Sequence, residues 1–284
     1  MRNHRHEFSV GRMASVLEVS RGGFYSWLKR GKGVRGLKRD SFDGEVRDVF
    51  EGFHGRSGRD KVKKELCRRG CRCSRNRVGA SMTRLRLKAR RARKFKVTTN
   101  SRHSFPVAPN LLNRNFQAIE PNRVWVSDIT YLKSRRGWLY LTVIVDLYSR
   151  RVVGWCVSRS LGHEMVLSAL YRAVWRRRPP KGLIFHSDRG VQYCCDAFRK
   201  AATLLKMVQS MSRKGNCWDN AVAESFFGIL KTEILGNYVF EDLADAERIL
   251  FGELEVYYNR QRLHSSMGYV PPAEVEEIKW QKCA

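Results

Sequence analysis

The chain has 284 residues, 43% of them hydrophobic, and carries 55 Lys and Arg against 27 Asp and Glu, a formal charge of +28. The apolar fraction is that of a folded globular protein, and no apolar run reaches the ~20 residues needed to span a bilayer, so a membrane protein is excluded and a soluble, cytoplasmic one expected. Charge of this size needs a polyanion to neutralise it, and a phosphate backbone is the most economical candidate.

The charge is uneven. Residues 1–115 hold 31 Lys and Arg against 9 Asp and Glu, a net of +22, which leaves +6 for the remaining 169. A DNA-binding front half followed by a more neutral domain is expected. Within 1–38, helices over Phe8–Val16 and Arg21–Arg30, the second capped by Ser20, suggest a helix-turn-helix-like segment, with Gly31–Lys38 as its linker. Residues 39–95 read as a basic helical, helix-turn-helix-type unit: Asp43–Phe53, Asp60–Arg69, and a helix from the Ser74 cap to about Arg90. On that last helix Val78, Met82 and Leu85 share one face. Arg77, Ser81, Arg84 and Lys88 form a second stripe roughly 100° away. Such a stripe suits a recognition helix in the major groove, and a solvated surface helix is the competing reading.

Residues 96–120 read as a linker, and from 121 to 284 the texture changes. Val124–Lys133, Trp138–Asp146 and Arg151–Ser158 are strand-like runs joined by short turns, which predicts an antiparallel meander. A helix (His163–Arg176), a buried strand (Leu183–His186), a helix (Gln192–Leu205), a short strand near Lys206–Ser210 and a helix from Asp219 to Leu235 follow. Leu243–Asn259 is helical, and a tail winds through Pro271-Pro272. This order predicts an α/β ribonuclease-H-like core behind small all-α segments.

The eight cysteines, at 67, 71, 73, 156, 194, 195, 217 and 283, form no paired Cys-x-x-Cys and meet no His-x3–5-His. Reduced thiols are expected rather than a zinc site.

Asp128 lies mid-strand among β-branched and aromatic residues, where a carboxylate needs a cation or a hydrogen-bond partner. Asp188 follows a buried strand, at an edge where α/β proteins place ligand groups, although either Asp alone could be a cap or turn residue. Glu224 shares a helix line with Asn220, Gly228 and Lys231, opposite Val222, Phe226 and Ile229. Asp219 and Glu233 are disfavoured by the helix angle, and Asp146 reads as a turn residue. Three carboxylates suit two hard ions, Mg²⁺ or Mn²⁺, clamping an in-line phosphoryl displacement.

The stretches VWVSDITYL, WLYLTVIVDLYSRRVVGW, HSDRGVQY, SRKGNCWDNAVAESFFGILKTE and YYNRQRLHSSMGYVPPAE, with 59 residues between Asp128 and Asp188 and 35 between Asp188 and Glu224, carry a resemblance. The chain resembles the second-frame (OrfB) transposases of the IS-three family of insertion sequences, relatives of retroviral integrases. The resemblance implies Asp128, Asp188 and Glu224 as catalytic metal ligands, holding two ions per site. It implies cleavage at terminal inverted repeats and joining of 3′ ends to DNA in the bacterial cytosol or nucleoid. It also implies a homo-oligomer on DNA and an upstream OrfA product as frameshift partner. Lys231 would contact terminal phosphates, with a surface salt bridge as the alternative; Trp218 would either stack on a splayed base or pack at the helix entry; Asn220, Arg77, Arg84 and Lys88 complete the expected DNA contacts. A nuclease of the same fold and a DNA-binding regulator with an inactive core remain the rival readings.

Overall fold

The computed structural model describes residues 1–30, 33–89, 105–214 and 216–283. The expected linkers therefore fall partly outside the described residues. The chain divides into two compact units, Met1–Lys88 and Ala89–Ala284.

In the first unit, α1 (Val10–Val16) and α2 (Arg21–Lys29) are N-capped by Ser9 and Ser20 side chains. α3 (Val34–Gly52) begins inside the stretch expected to be a linker. With α4 (Arg59–Arg68) and α5 (Arg75–Arg84) it forms a mutually packed trio. Phe42, Val46, Val49, Val62, Leu66 and Val78 are buried in it. α5 stops at Arg84 rather than running to Arg90, because Arg86 turns left-handed (φ 55°). Its N–H bonds Thr83 O (3.1 Å), and that of Leu87 bonds Met82 O (2.8 Å). This paired C-terminal closure ordinarily advertises itself with a glycine; here an arginine occupies the position.

The second unit is built on a five-stranded sheet in the order β3-β2-β1-β4-β5. β1 (Val124–Ser134), β2 (Gly137–Asp146) and β3 (Val152–Ser158) form the expected antiparallel meander. β4 (Ile184–Ser187) and β5 (Val208–Met211) run parallel to β1. This is the ribonuclease-H-like, integrase-core arrangement. α6 (His163–Arg177), α7 (Val191–Cys194) and α8 (Asp196–Leu204) supply the other side of a core containing Trp125, Ile144, Val166, Leu170, Phe185 and Phe198. Gly154 of β3 permits the close approach of α6: a Cβ there would stand 2.5 Å from Ala169 O and 2.7 Å from Ala173 Cβ.

The expected helix Asp219–Leu235 is three pieces: a 3₁₀ turn (Cys217–Asn220), α9 (Ala221–Ile229) and a π-helical turn (Leu230–Ile234). Thr232 Oγ1 donates back to Gly228 O (2.7 Å), and Leu235 N bonds Leu230 O (2.8 Å). Side-chain competition for a helix carbonyl of this kind loosens the regular ladder. α10 (Leu243–Phe251) likewise passes into a π-helical stretch, Gly252–Gln261, and α11 (Pro272–Cys283) closes the described chain. The Asn259 amide clamps β3 by pairing with both N and O of Val152 at 2.9 Å. No described helix is long and apolar enough to cross a membrane.

Candidate active site

Asp128 faces Val143 across the β1–β2 pair. Its Oδ1 accepts the Ile129 N–H at 2.8 Å. On the other side of β1, Val126 is in register with His186 of β4, so continuing both strands by two residues brings Asp128 level with Asp188. Asp188 Oδ1 accepts the Gly190 N–H at 2.9 Å, which sets the turn after β4. α9 packs against β1 and carries Glu224 in its first turn. Asn220, immediately before that helix, donates to Ser127 O at 3.4 Å and so ties α9 to the residue preceding Asp128. All three carboxylates are half-buried.

Their charges act on one another. Burial first, then the Asp188 charge, drives the Asp128 carboxyl well above the usual carboxylate range; Glu224 adds to this, while the Ile129 amide and the Lys231 ammonium oppose it. Burial also raises Glu224. Lys231, in the π turn, is pushed down by burial and partly restored by Asp128. Four groups from β1, the β4 edge and two turns of one helix thus share a field with surplus negative charge. Such a field favours a bound cation.

Among the described residues, no three His, Cys, Asp or Glu side chains converge where they could hold a metal ion by themselves. The donor set nevertheless suits Mg²⁺, which takes one or two carboxylates and leaves its other positions to water and substrate phosphate.

Asp219 and Asp146, set aside in the sequence, are structural. Asp219 is buried and accepts the Arg213 guanidinium (2.8 Å), the Arg213 N–H (2.9 Å), Asn110 Nδ2 (2.9 Å) and Arg114 Nε (3.2 Å). Arg213 above all holds its carboxyl far below the usual range. Asp146, also buried, accepts N–H groups of Asn122 (2.7 Å) and Tyr148 (2.9 Å), and burial pushes it up to about 6. Glu233 pairs with Arg262 at 2.7 Å. His186 escaped notice in the sequence. It is buried, with Nδ1 2.8 Å from Ser210 Oγ and Nε2 2.9 Å from Asp219 O. It therefore links β4 and β5 to the turn that launches α9, a role with no local sequence signal.

The expected DNA contacts divide. On α5 the exposed Arg77 and Arg84 and the buried Ser81 also contact α3. Arg84 bonds Asp43 through Nε at 3.0 Å, Ser81 Oγ donates to Asp43 at 2.6 Å, and the Arg77 guanidinium stands 4.0 Å from the Phe42 ring centre. Lys88 is exposed but lies beyond the end of α5, so the four residues do not form one helical stripe. Trp218 is exposed (68%), whereas Asn220 is buried (4%). The cysteines whose side chains are described, 67, 71, 73, 156, 194 and 195, are free thiols.

The strand order and the helical unit ahead of it define an integrase-type core preceded by a helix-turn-helix-like module. Two families described as integrase core domain match residues 118–217 and 205–272, and one described as HTH-like domain matches 38–95. Transposase InsF for insertion sequence IS3A, of Escherichia coli (strain K12), is 38% identical over 275 residues, covering 96% of each chain. The insertion element IS600 uncharacterized 31 kDa protein of Shigella sonnei is 40% identical over 272 residues, covering 96% of this chain and all of that one. The chain belongs to the IS3 family of insertion-sequence transposases.

Looser likeness extends to solved structures. A chain of the simian T-cell lymphotropic virus intasome in complex with PP2A regulatory subunit B56 gamma aligns at TM-score 0.48 and 17% identity, over 81% of this chain and 74% of that one. The HTLV-2 integrase catalytic core in complex with magnesium aligns at 0.43 and 18%, over 56% and 99%. Likeness at that level bears on neither activity nor metal.

Proposed function

We propose that this transposase cleaves DNA at the terminal inverted repeats of its element and joins the freed 3′ ends to DNA, using Asp128, Asp188 and Glu224 as catalytic residues. The observation that carries the reading is that β4 pairs with β1 and α9 packs on β1, the three elements that bear or lead into Asp188, Asp128 and Glu224; burial, then the Asp188 and Glu224 charges, raise the Asp128 carboxyl, and Lys231 opposes them. Those three carboxylates would hold Mg²⁺ or Mn²⁺, two ions per site, which when bound would assist the attacking oxygen and neutralise charge on the leaving one. In cleavage, water attacks the scissile phosphorus and the P–O3′ bond breaks, leaving a 3′ hydroxyl. In joining, that hydroxyl attacks a phosphodiester of the recipient strand, and one P–O bond replaces another. The half-buried ammonium of Lys231 positions the strand by its charge, and exposed Trp218 offers a ring to an unstacked base.

The helical unit Met1–Lys88 is assigned to end recognition, on the strength of the front half's charge and the HTH-like match. Assembly as a homo-oligomer on DNA, with an upstream OrfA product as fusion partner, belongs to the same reading. A strand-transfer assay with labelled inverted-repeat ends and Mg²⁺ tests it. Joined products that vanish in Asp188→Asn, with end binding retained, support the proposal. Nicks without joining indicate a nuclease, and a mobility shift without either product indicates a regulator.

A further inference from the structure

Behind α9 lies a cavity of about 290 Å³ with two features that the reaction leaves unused. Arg150 and Arg262 line it, and each has a buried Nη1 with no hydrogen-bond partner. Both guanidiniums are anchored through their other nitrogens. Arg150 Nη2 donates to Phe116 O at 2.9 Å, and Arg262 donates through Nε and Nη2 to Glu233 at 3.0 and 2.7 Å. Arg262 is only 5% exposed. A buried guanidinium N–H left unpaired is costly, and both of these belong to arginines that line the one cavity. Ser265, Ser266 and His264 join the lining, no Asp or Glu does, and Phe116 and Tyr258 supply aromatic residues.

We propose that this cavity is a phosphate-binding site, receiving the phosphate of a nucleotide between Arg150 and Arg262 with its base against the aromatic surface. Planar guanidinium forks match phosphate oxygens, and the volume sits at the small end of ligand pockets, near one nucleotide. Val222 and Ile229, which also line it, lie roughly 140–160° around α9 from Glu224, so the site is across the helix from the carboxylates. It therefore does not depend on which residues carry the chemistry. A nucleotide within a bound strand and a free nucleotide or phosphate present the same group.

The test uses the full chain at constant ionic strength. Binding of thymidine 5′-monophosphate and of inorganic phosphate is measured by calorimetry, and 5-iodo-deoxyuridine monophosphate is photocrosslinked and mapped. Crosslinks to the peptides holding Phe116 or Tyr258, and an affinity loss of about tenfold or more in Arg150→Gln, are expected. Ile229→Trp, which fills the cavity and leaves both arginines in the sequence, should block binding as well and keeps the test valid if Arg150→Gln misfolds. Equal affinity for both ligands assigns the site to bare phosphate. Tighter nucleotide binding, with competition by a single-stranded oligonucleotide, assigns it to a DNA strand; without that competition, to a free nucleotide. Wild-type affinity in both variants, or crosslinks confined to other peptides, overturns the proposal.

Discussion

Asp128 on β1 and Asp188, the residue just past the end of β4, each follow by two positions the register partners Val126 and His186. The β1–β4 pairing thus directs both carboxylates to the same end of the sheet, and in this half-buried space burial, then the Asp188 and Glu224 charges, act on Asp128. Removing one charge should relieve that repulsion while Asn retains an oxygen for the Ile129 N–H. Asp128→Asn is expected to melt a few degrees above wild type in EDTA, and to lose most of the stabilisation that Mg²⁺ gives the wild type. It should show no strand cleavage. Scanning calorimetry with and without Mg²⁺ checks this, and an unchanged or lowered melting temperature in EDTA counts against the shared field.

Gly190 controls Asp188. Its backbone (φ −62°, ψ 141°) is open to any residue, yet an added Cβ would lie 3.0 Å from Asp188 Oδ1 and 3.0 Å from Gln192 Oε1. Gly190→Ala should therefore leave stability within about 1 kcal/mol but shift the carboxylate by a few tenths of an ångström. A rate loss of roughly tenfold or more is expected from such misplacement. Full activity in this variant would show that Asp188 tolerates displacement.

Lys231 should act through charge as well as reach. Lys231→Ala is expected to slow end cleavage roughly ten- to thirtyfold, with partial recovery in Lys231→Arg. Because its ammonium offsets Asp128, the alanine variant should also melt slightly lower in EDTA and converge with wild type in Mg²⁺. Cleavage at the wild-type rate would leave it a surface lysine.

The Asp219 network should make the second unit acid-sensitive. Its folded carboxyl titrates below the unfolded value, so its contribution is present above the unfolded pKa, about 3.9. That contribution is lost as pH falls through the folded value. Asp219→Asn should cost roughly 2–3 kcal/mol at pH 7, less than a fully buried pair because both arginines are half-exposed. The difference should shrink steadily below pH 4. A pH-independent difference would assign the loss to packing.

In the helical unit, Arg84→Ala should lower stability by breaking the Asp43 pair, with any loss of DNA affinity following from unfolding. Lys88→Ala should leave stability unchanged, weaken binding across DNA sequences and reduce the salt slope by about one. Equal melting temperatures for Arg84→Ala and wild type would show that the Asp43 pair adds nothing to stability.

The meander, the helix caps at Ser20 and Ser74, and the placement of Asp128, Asp188 and Glu224 were all legible in the chain itself. The meander and caps rest on periodicity and capping chemistry, which are properties of neighbouring residues, and the three carboxylates on motifs whose order and spacing resemble a known family. Other features were settled only by tertiary structure. α5 ends at a left-handed Arg86, α9 gives way to a π turn that holds Lys231, and the exposed Arg84 and Arg77 also meet Asp43 and Phe42. Asp219, an acid five residues from Glu224, is neutralised by Arg213 and by partners as distant as Asn110, 109 positions away. Local pattern states which side of a helix a charge occupies. Whether that charge meets a counter-ion or a second carboxylate depends on what packs against it, and that is decided by elements far apart in sequence.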